Sequence, residues 1–178
     1  MFGDATSNYF EFSVTEKPNK KTKTRKAIIA TSAVVVFVAL FAVLSAFASA
    51  MVVIMPMTTV LIVFAAFIFW KYTKIEYDYF ISSGDMQMNI VYGGRSRKEL
   101  FTFKISSAEL IADPKSNPAD NSRYQRVYTC VSSMEAQGII YAVFKNQNGE
   151  KCIVYFEAPK KALSLLKFYN SSAYKVSL

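Results

Sequence analysis

The strongest constraint on how this chain folds is the segment from Ala27 to Trp70, which contains no Asp, Glu, Lys or Arg. A membrane-spanning helix needs about 20 apolar residues, because it rises about 1.5 Å per residue through about 30 Å of hydrocarbon. The segment is long enough for two such helices and a turn. Small, weakly polar residues at 48–51, with Pro56 just beyond, indicate the turn. We predict membrane spans over 27–47 and 52–70.

Basic residues flank this segment on both sides, whereas the predicted turn carries no charge. The positive-inside rule therefore predicts that both termini lie in the cytoplasm and that the chain is a multi-pass protein of the cell membrane. Residues at the two ends of the segment have the amphipathic character of anchors at the membrane interface. These predicted anchors are Lys26, Trp70, Lys71 and Tyr72.

Two other interpretations concern the same segment. The A-x-A pattern at 46–50 would suit a cleaved signal peptide, but the apolar stretch exceeds the 7 to 15 residues of such peptides. Ala42, Ala46 and Ala50 recur at four-residue spacing, which favours close packing of the two spans, with homo-oligomer formation through the hairpin as the alternative. The spans hold no ionisable residue, so we expect an anchor and not a transport path.

Residues 1–26 form a predicted basic cytoplasmic tail that contains the aromatic residues Tyr9, Phe10 and Phe12. This aromatic patch either lies among lipid headgroups or belongs to a disordered tail. The sequence thus divides into the tail 1–26, the hairpin 27–70 and a domain over 71–178.

The composition limits the chemistry that the chain can perform. The sequence contains no histidine, which excludes a Ser-His-Asp triad, a Cys-His dyad and a His-ligated zinc site. Cys130 and Cys152 lack the spacing of metal ligands, and we expect them to be buried and reduced. We therefore predict no catalytic, cofactor-binding or metal-binding residue, and a protein that is not an enzyme.

After residue 74 the apolar residues alternate with period two, which is typical of half-buried strands. Strands are expected near 75–81, 86–92, 101–105, 124–131, 138–144 and 151–156, with a short seventh within 106–112 and a loop over 113–121. Pro159 opens a helix to about residue 170, with the apolar stripe Ala162, Leu163, Leu165, Leu166 and Phe168. The fold class is a membrane α-helical hairpin followed by a mainly β domain. That domain has six or seven antiparallel strands closed by a C-terminal helix.

This order resembles a pleckstrin-homology-like barrel. With the hairpin, the chain resembles a family of uncharacterised bacterial membrane proteins catalogued as a domain of unknown function, over most of residues 27–170. The resemblance implies an architecture but no activity and no catalytic residue. It is carried by the segments Ile75-Glu76-Tyr77-Asp78-Tyr79, Ser83-Gly84-Asp85-Met86-Gln87-Met88, Arg95-Ser96-Arg97-Lys98 and Phe156-Glu157-Ala158-Pro159.

The basic residues Arg95, Arg97 and Lys98 cluster after Gly93-Gly94 and are the candidate contacts for a lipid headgroup or phosphate. The alternative is an ordinary exposed turn, and no phosphate-binding glycine motif is present.

Two further pairs are weaker candidates. Glu76 and Asp78 share one strand face, as an acid–base pair could, but a solvated sheet face is the preferred explanation. Arg123 and Arg126 with their neighbouring tyrosines are more typical of an outer sheet face than of a nucleic-acid surface, so no nucleic acid is expected.

The leading functional hypothesis is a non-enzymatic, membrane-tethered binding or adaptor protein. The hairpin would contact the lipid bilayer, and the β domain would bind a protein partner or an extended peptide. The alternative is recognition of anionic lipid headgroups by the basic turn. A hydrolase or transferase is a third, weaker hypothesis, because no catalytic constellation is visible.

Overall fold

Two long helices separate the first β-strand from the rest of a mainly β fold. The computed structural model describes residues 9–176, apart from the side chains of residues 21 and 48–51. The chain divides into two compact units. The hairpin unit is Pro18–Ile75 with Tyr92–Gly94. The β unit is the described part of Met1–Lys17, Glu76–Val91 and Arg95–Leu178.

The hairpin unit contains helices α1 (Lys20–Leu44) and α2 (Ala48–Lys71). Each includes a segment that is long and apolar enough to cross a membrane, Thr22–Leu44 and Val52–Lys71, with mean hydropathies of 2.8 and 2.6. None of the residues in these segments' most apolar stretches is buried inside the protein. Such surfaces are typical of helices whose solvent is lipid.

The helix bounds differ from the predicted spans. Helix α1 begins at Lys20 because the side-chain oxygen of Asn19 caps it, accepting the N–H of Thr22 at 2.9 Å. It ends at Leu44 and is capped by Ser45, whose hydroxyl donates to the carbonyl of Ala42 at 2.8 Å. The turn is therefore at 45–47 and not at 48–51.

This turn also changes the interpretation of the alanine stripe. Ala42 lies on α1, Ala46 in the turn and Ala50 on α2, so the three residues do not form one helix face. The four-residue spacing therefore does not define a stripe along a single helix, because the chain reverses direction within it.

Pro56 lies inside α2 and not in its first turn. A proline removes one helical N–H donor. The hydroxyls of Thr58 and Thr59, just after it, donate to the carbonyls of Ile54 and Met55 at 2.8–3.0 Å. These hydroxyls do not replace the donor that Pro56 lacks, because the carbonyl four residues before Pro56 is that of Val52.

The β unit is built from two sheets and one helix. The first sheet has the order β1-β2-β3-β4 and the second has the order β6-β8-β7-β5-β9. The strands of the first sheet are β1 (Tyr9–Thr15), β2 (Ile75–Ser82), β3 (Asp85–Tyr92) and β4 (Ser96–Lys104). Those of the second are β5 (Leu110–Ala112), β6 (Arg126–Cys130), β7 (Ile139–Lys145), β8 (Lys151–Glu157) and β9 (Tyr174–Lys175). Helix α3 is Lys160–Tyr169, and short 3-10 turns occupy Ile105–Ser107 and Asn121–Arg123.

Strand β1 lies within the segment that was predicted to be a cytoplasmic tail. It pairs antiparallel with β2, with Tyr9 opposite Ser82 and Thr15 opposite Glu76. The alternation of Phe10, Phe12 and Val14 with polar residues puts the apolar side chains on the face that packs against the core. The tail interpretation therefore does not hold for residues 9–15, and the alternation within this segment was the signal for a strand.

The described strands also depart from six or seven antiparallel ones. There are nine of them, and β6 pairs parallel with β8 while β5 pairs parallel with β9. Periodicity in the sequence indicates which face of a strand is buried, but it carries no information about which strand lies beside it or in which direction. The prediction of a mainly β domain with a C-terminal helix is confirmed at this coarser level.

The core of the β unit lies between the sheets and α3. Its fully buried side chains include Tyr79, Met86, Met88, Phe144, Phe156 and Leu166. At the end of α3, the buried amide of Asn170 donates to the carbonyls of Ile105 and Ala108 at 2.8 and 3.0 Å, which ties the helix to the turn after β4. Phe168 was predicted in the apolar stripe but is 74% exposed.

The two cysteines are both buried and free. Burial raises the pKa of the Cys130 thiol to about 12 and also raises the pKa of the Cys152 thiol. A thiol is reactive as the thiolate, so these two side chains are packing elements of the second sheet.

Candidate functional site

The predicted basic turn connects β3 and β4. Gly93 and Gly94 both have positive φ, 61° and 70°, which glycine adopts without strain. Arg95 follows in the turn, and Arg97 and Lys98 lie on β4. All three basic side chains are exposed at one end of the first sheet, but Arg97 and Lys98 are consecutive strand residues and therefore lie on opposite faces of it.

Arg97 differs from the other two because it is already paired. Its Nη2 donates to Oδ2 of Asp78 at 2.7 Å. Asp78 lies on β2, so the Arg97 side chain reaches past β3, the strand that separates β2 and β4. The structure therefore leaves Arg95 and Lys98 as the more available cations of the cluster.

Asp78 is buried and not solvated. Its Oδ1 accepts the hydroxyl of Ser13 at 2.6 Å, while its other oxygen accepts from Arg97. Because Ser13 belongs to β1, one carboxylate links strands β1, β2 and β4. A buried carboxylate with both oxygens engaged stabilises the sheet and is poorly suited to proton transfer with a substrate.

Two of the predicted interface anchors, Lys26 and Trp70, are in contact in the hairpin unit. The Lys26 ammonium lies 5.4 Å from the centroid of the Trp70 ring, a cation–π geometry, and Lys71 is the last residue of α2. Tyr72 caps α2 and is 44% exposed. The N–H of Gly93 donates to the carbonyl of Lys74 at 2.8 Å, so the β3–β4 turn begins close to the end of α2.

Sequence analysis did not find a groove between two strands of the β unit. It has a volume of about 300 Å³ and is lined by β4, β6 and the β7–β8 turn. Its lining includes Phe101 and Thr102 on β4, Arg126 and Tyr128 on β6, and Asn148 in the turn. No sequence signal joins these segments, because only the tertiary fold places the edges of the two sheets together.

Arg126, a predicted nucleic-acid candidate, is at the rim of this groove and is paired. Its Nε donates to Glu150 at 2.8 Å, while the amide of Asn146 donates to the same carboxylate oxygen at 2.7 Å. The Asn146 hydrogen bond and then the Arg126 guanidinium lower the pKa of Glu150. Arg123 likewise donates to Asp120, at 3.1 Å.

Within residues 9–176, no group of three or more His, Cys, Asp or Glu side chains is placed to hold a metal ion. Tyr79 shows the largest perturbation in the β unit: burial, followed by the charge of Glu157, strongly raises its pKa. Its hydroxyl donates to the carbonyl of Glu157, so the side chain joins the first sheet to β8. This is a structural hydrogen bond within the core.

Comparison with known protein families identifies the family of the chain. Residues 6–176 match the family described as Bacterial PH-like domain (DUF6106). The chain belongs to this family. The match extends from before β1 to after β9, so the two apolar helices lie inside the family's domain. It confirms the resemblance seen in the sequence and the PH-like nature of the fold. No curated protein and no solved structure shows significant similarity to the chain.

Proposed function

We propose that this DUF6106 protein is a non-enzymatic, membrane-anchored binding or adaptor protein. In this proposal α1 and α2 cross the cell membrane as a hairpin, and the PH-like β unit binds a protein partner on the cytoplasmic side. Recruitment would then depend on the β unit and localisation on the hairpin.

One observation carries the proposal: strands β1 and β2 pair with each other, although both helices lie between them in the sequence. Paired strands must be on the same side of a membrane. A single crossing would separate them, whereas two crossings return the chain to the side from which it started. The strand pairing thus supports a hairpin independently of any charge count.

The distribution of charge supports a cytoplasmic position for the paired strands. From Lys17 to Ile75 the chain has eight basic residues and no acidic one, and the basic residues all precede the apolar part of α1 or follow Trp70. The turn at 45–47 has no charge. By the positive-inside rule, this favours cytoplasmic flanks and an external turn.

Cysteine labelling with a membrane-impermeant maleimide tests the topology. Three single substitutions report on the turn, the first linker and the β unit: Ala46→Cys, Lys17→Cys and Met134→Cys, each at an exposed position. The native Cys130 and Cys152 are buried and serve as the unlabelled background. In spheroplasts we expect labelling of Ala46→Cys alone, and labelling of the other two variants after permeabilisation. Labelling of Met134→Cys in sealed spheroplasts would overturn the proposal.

A second candidate function is recognition of anionic lipid headgroups by the basic turn. It is favoured by the exposure of Arg95 and Lys98, for which no hydrogen bond or ion pair occurs among the described residues. Arg95 is also only two residues along the chain from Gly93, which bonds Lys74 just after α2. Each basic residue near an anionic surface contributes about 1 kcal/mol.

This candidate requires the whole chain for its test, because a fragment that begins at residue 74 lacks β1. Full-length protein in nanodiscs is examined by native mass spectrometry for retained anionic lipid. The double substitution Arg95→Ala with Lys98→Ala is expected to reduce the retained phosphatidylglycerol, while Lys115→Ala with Lys161→Ala is the charge-matched control. Equal retention by both double variants would contradict lipid recognition at this turn.

A further inference from the structure

The first sheet contains one strand, β1, that precedes the hairpin in the sequence. The other neighbours in this sheet are joined by tight turns, β2 to β3 through residues 83–84 and β3 to β4 through residues 93–95. Strands β1 and β2 are instead separated by residues 16–74. The entropic cost of bringing two chain ends together grows with the length of the loop between them. The pairing of β1 with β2 therefore depends on the conformation of the intervening chain more than the other pairings of this sheet do.

Helices α1 and α2 shorten this long loop because they pack against each other. At the end of the hairpin where the chain enters and leaves, the Lys26 ammonium lies 5.4 Å from the centroid of the Trp70 ring. Both helices also line one apolar cleft. With the helices packed, only the linkers 16–19 and 72–74 remain between the hairpin and the two strands. The loop that joins β1 to β2 is then effectively short.

The packed hairpin needs an environment that covers its apolar surface. Large side chains such as Val35 and Phe64 are exposed on the two helices. In water, such surfaces favour association with any other apolar surface over an isolated pair of helices. In a bilayer, both helices cross the hydrocarbon core and their ends are held at its interface. Membrane insertion is therefore the condition that brings the two linkers together.

Strand β1 contributes side chains to both faces of the sheet as well as backbone pairing. On the core face, the ring of Phe12 packs on the fully buried Tyr79, with centroids 5.7 Å apart. On the other face, the hydroxyl of Ser13 donates to the buried carboxylate of Asp78 at 2.6 Å. Without β1, the core beside Tyr79 is uncovered and the Asp78 carboxylate loses one donor. The β unit is therefore incomplete until β1 has docked.

The end of β1 is also tied to the second sheet. The N–H of Lys17 donates to the carbonyl of Ser132, in the loop after β6, at 2.8 Å. The N–H of Ser132 in turn donates to the carboxylate of Glu157, at the end of β8, at 2.6 Å. Lys17 is the last residue of the β unit before the hairpin unit begins at Pro18. Docking of β1 therefore joins both sheets, and the free part of the first linker begins at Pro18.

We propose that the inserted hairpin is a clasp for the β unit: the packing of α1 against α2 in the membrane holds the ends of β1 and β2 together, so that β1 completes the first sheet. A chain whose hairpin is not inserted has a long open loop in place of the clasp, and its β1 docks less often. This inference rests on the proposed function, in which both helices cross the membrane. It adds that the β unit is complete, and competent to bind a partner, only at the membrane.

This coupling acts mainly from the hairpin to the β unit. The apolar residues of the two helices favour insertion by themselves, so the hairpin does not need a docked β1 in order to enter the membrane. Docking of β1, in contrast, gains from every restriction that shortens its loop. The clasp is therefore measured by changing the chain around the hairpin and observing β1.

Insertion of one flexible Gly/Ser segment at two different sites tests the clasp in full-length protein in nanodiscs. The linker variant carries the segment between Lys17 and Pro18, outside the packed helices. The turn variant carries the same segment between Ala46 and Phe47, inside the loop that the helices close. Both variants add the same length between β1 and β2, so the turn variant is the matched control. Hydrogen exchange of the Tyr9–Thr15 amides, followed by mass spectrometry, measures how often the pairing opens.

We expect the linker variant alone to open more often. A segment of about 14 residues makes the flexible chain about three times as long, and exchange of the β1 amides should rise about fivefold. A segment of about 7 residues doubles the flexible length, and the rise should be about threefold. In the turn variant the packed helices isolate the added residues from β1 and β2, so exchange should stay at the wild-type rate.

Equal exchange in the linker and turn variants would overturn the inference, because an open loop responds only to its total length. A linker effect that is the same for the short and the long segment would also overturn it, since that result indicates local damage and not chain entropy.

Failure of the clasp is separable from failure of the proposed function. Cysteine labelling that shows an external turn and cytoplasmic flanks, together with equal effects of the two insertions, would refute only the clasp. Labelling of Met134→Cys in sealed spheroplasts would refute the proposed function whatever the exchange rates of β1.

Discussion

The hairpin unit and the β unit use the same kinds of apolar residue in opposite environments. Val35 and Phe64 on the helices are 60% and 62% exposed, whereas Ile81 and Phe156 in the sheets are fully buried. In the β unit the favourable environment for these side chains is supplied by other side chains, and in the proposed membrane anchor it would be supplied by lipid. The stability of the hairpin unit therefore depends on the apolar composition of its helices, while the stability of the β unit depends on complementary packing of its side chains.

This comparison predicts that one kind of substitution acts very differently in the two units. The largest effect is expected for Met88→Asp, which puts an unpaired carboxylate at a fully buried position of the β unit. We expect a loss of more than about 4 kcal/mol, enough to unfold the β unit, because the core offers no counter-charge. Insertion of the hairpin should remain unchanged.

Limited proteolysis of nanodisc-embedded protein measures the first effect, and membrane fractionation measures the second. Met134→Asp, on an exposed loop, is the control and should resist protease as wild type does. Loss of membrane insertion by Met88→Asp would show that the two units do not fold independently.

A smaller effect tests whether β1 truly belongs to the β unit. Phe12 packs against Tyr79 with ring centroids 5.7 Å apart, whereas its neighbour Glu11 is exposed on the opposite face of the strand. Phe12→Ala should destabilise the β unit by about 2 to 3 kcal/mol, through lost burial and a residual cavity. Glu11→Ala should change it by less than about 0.5 kcal/mol.

Chemical denaturation followed by the fluorescence of the core tyrosines provides the measurement. Equal losses of stability for Phe12→Ala and Glu11→Ala would show that residues 9–15 do not pack into the core and would support the prediction of a tail.

The ion pair of Arg97 and Asp78 provides a further test of how the β unit depends on specific contacts. Arg97→Ala leaves the buried Asp78 carboxylate with one fewer donor, and we expect a loss of about 1 to 2 kcal/mol in the stability of the β unit. Lys98→Ala, one residue away and exposed, should have almost no effect on stability. Thermal unfolding in nanodiscs distinguishes these outcomes, and an unchanged melting temperature for Arg97→Ala would instead favour a role in ligand binding.

The smallest expected effect is a dependence of the stability of the β unit on pH. Burial raises the pKa of Cys130 from 9.0 to about 12. Between these values the unfolded chain loses the thiol proton while the folded chain keeps it, so stability should decrease as pH rises above about 9. The variant Cys130→Ala should lose less stability between pH 9 and pH 10, and because both proteins contain the same tyrosines, the difference between them reports on the thiol. Denaturation curves of both proteins at these two pH values would measure the difference. An equal loss of stability in wild-type protein and Cys130→Ala would contradict a raised pKa of the Cys130 thiol.

Several features could be predicted from residues alone. The uncharged segment from Ala27 to Trp70 indicated two long apolar helices, and the family resemblance followed from strand and turn segments such as Ser83–Met88. The approximate positions of β2, β3, β7, β8 and α3 also followed from periodicity. Strand β1 was within reach of the same argument, but the proximity of the basic residues and the membrane helices favoured the interpretation of a tail.

Other features could not be predicted, because they depend on neighbours that are distant in the sequence. The burial of Asp78 requires Ser13 and Arg97 on other strands, and the groove requires the ends of two sheets to meet. The exposure of Phe168 likewise contradicts its helical periodicity, since that periodicity describes one face of α3 without showing how far the covering sheet extends.

By itself, the amino-acid sequence determined the two apolar helices, the positive flanks and the mainly β character of the remaining chain. These properties arise from local composition and period, and lipid or water acts on each segment separately. Tertiary structure alone decided that β1 completes a sheet interrupted by the hairpin and that two strand pairs are parallel. Those features depend on which segments meet in space, and the energy of such contacts is shared between residues far apart in the chain.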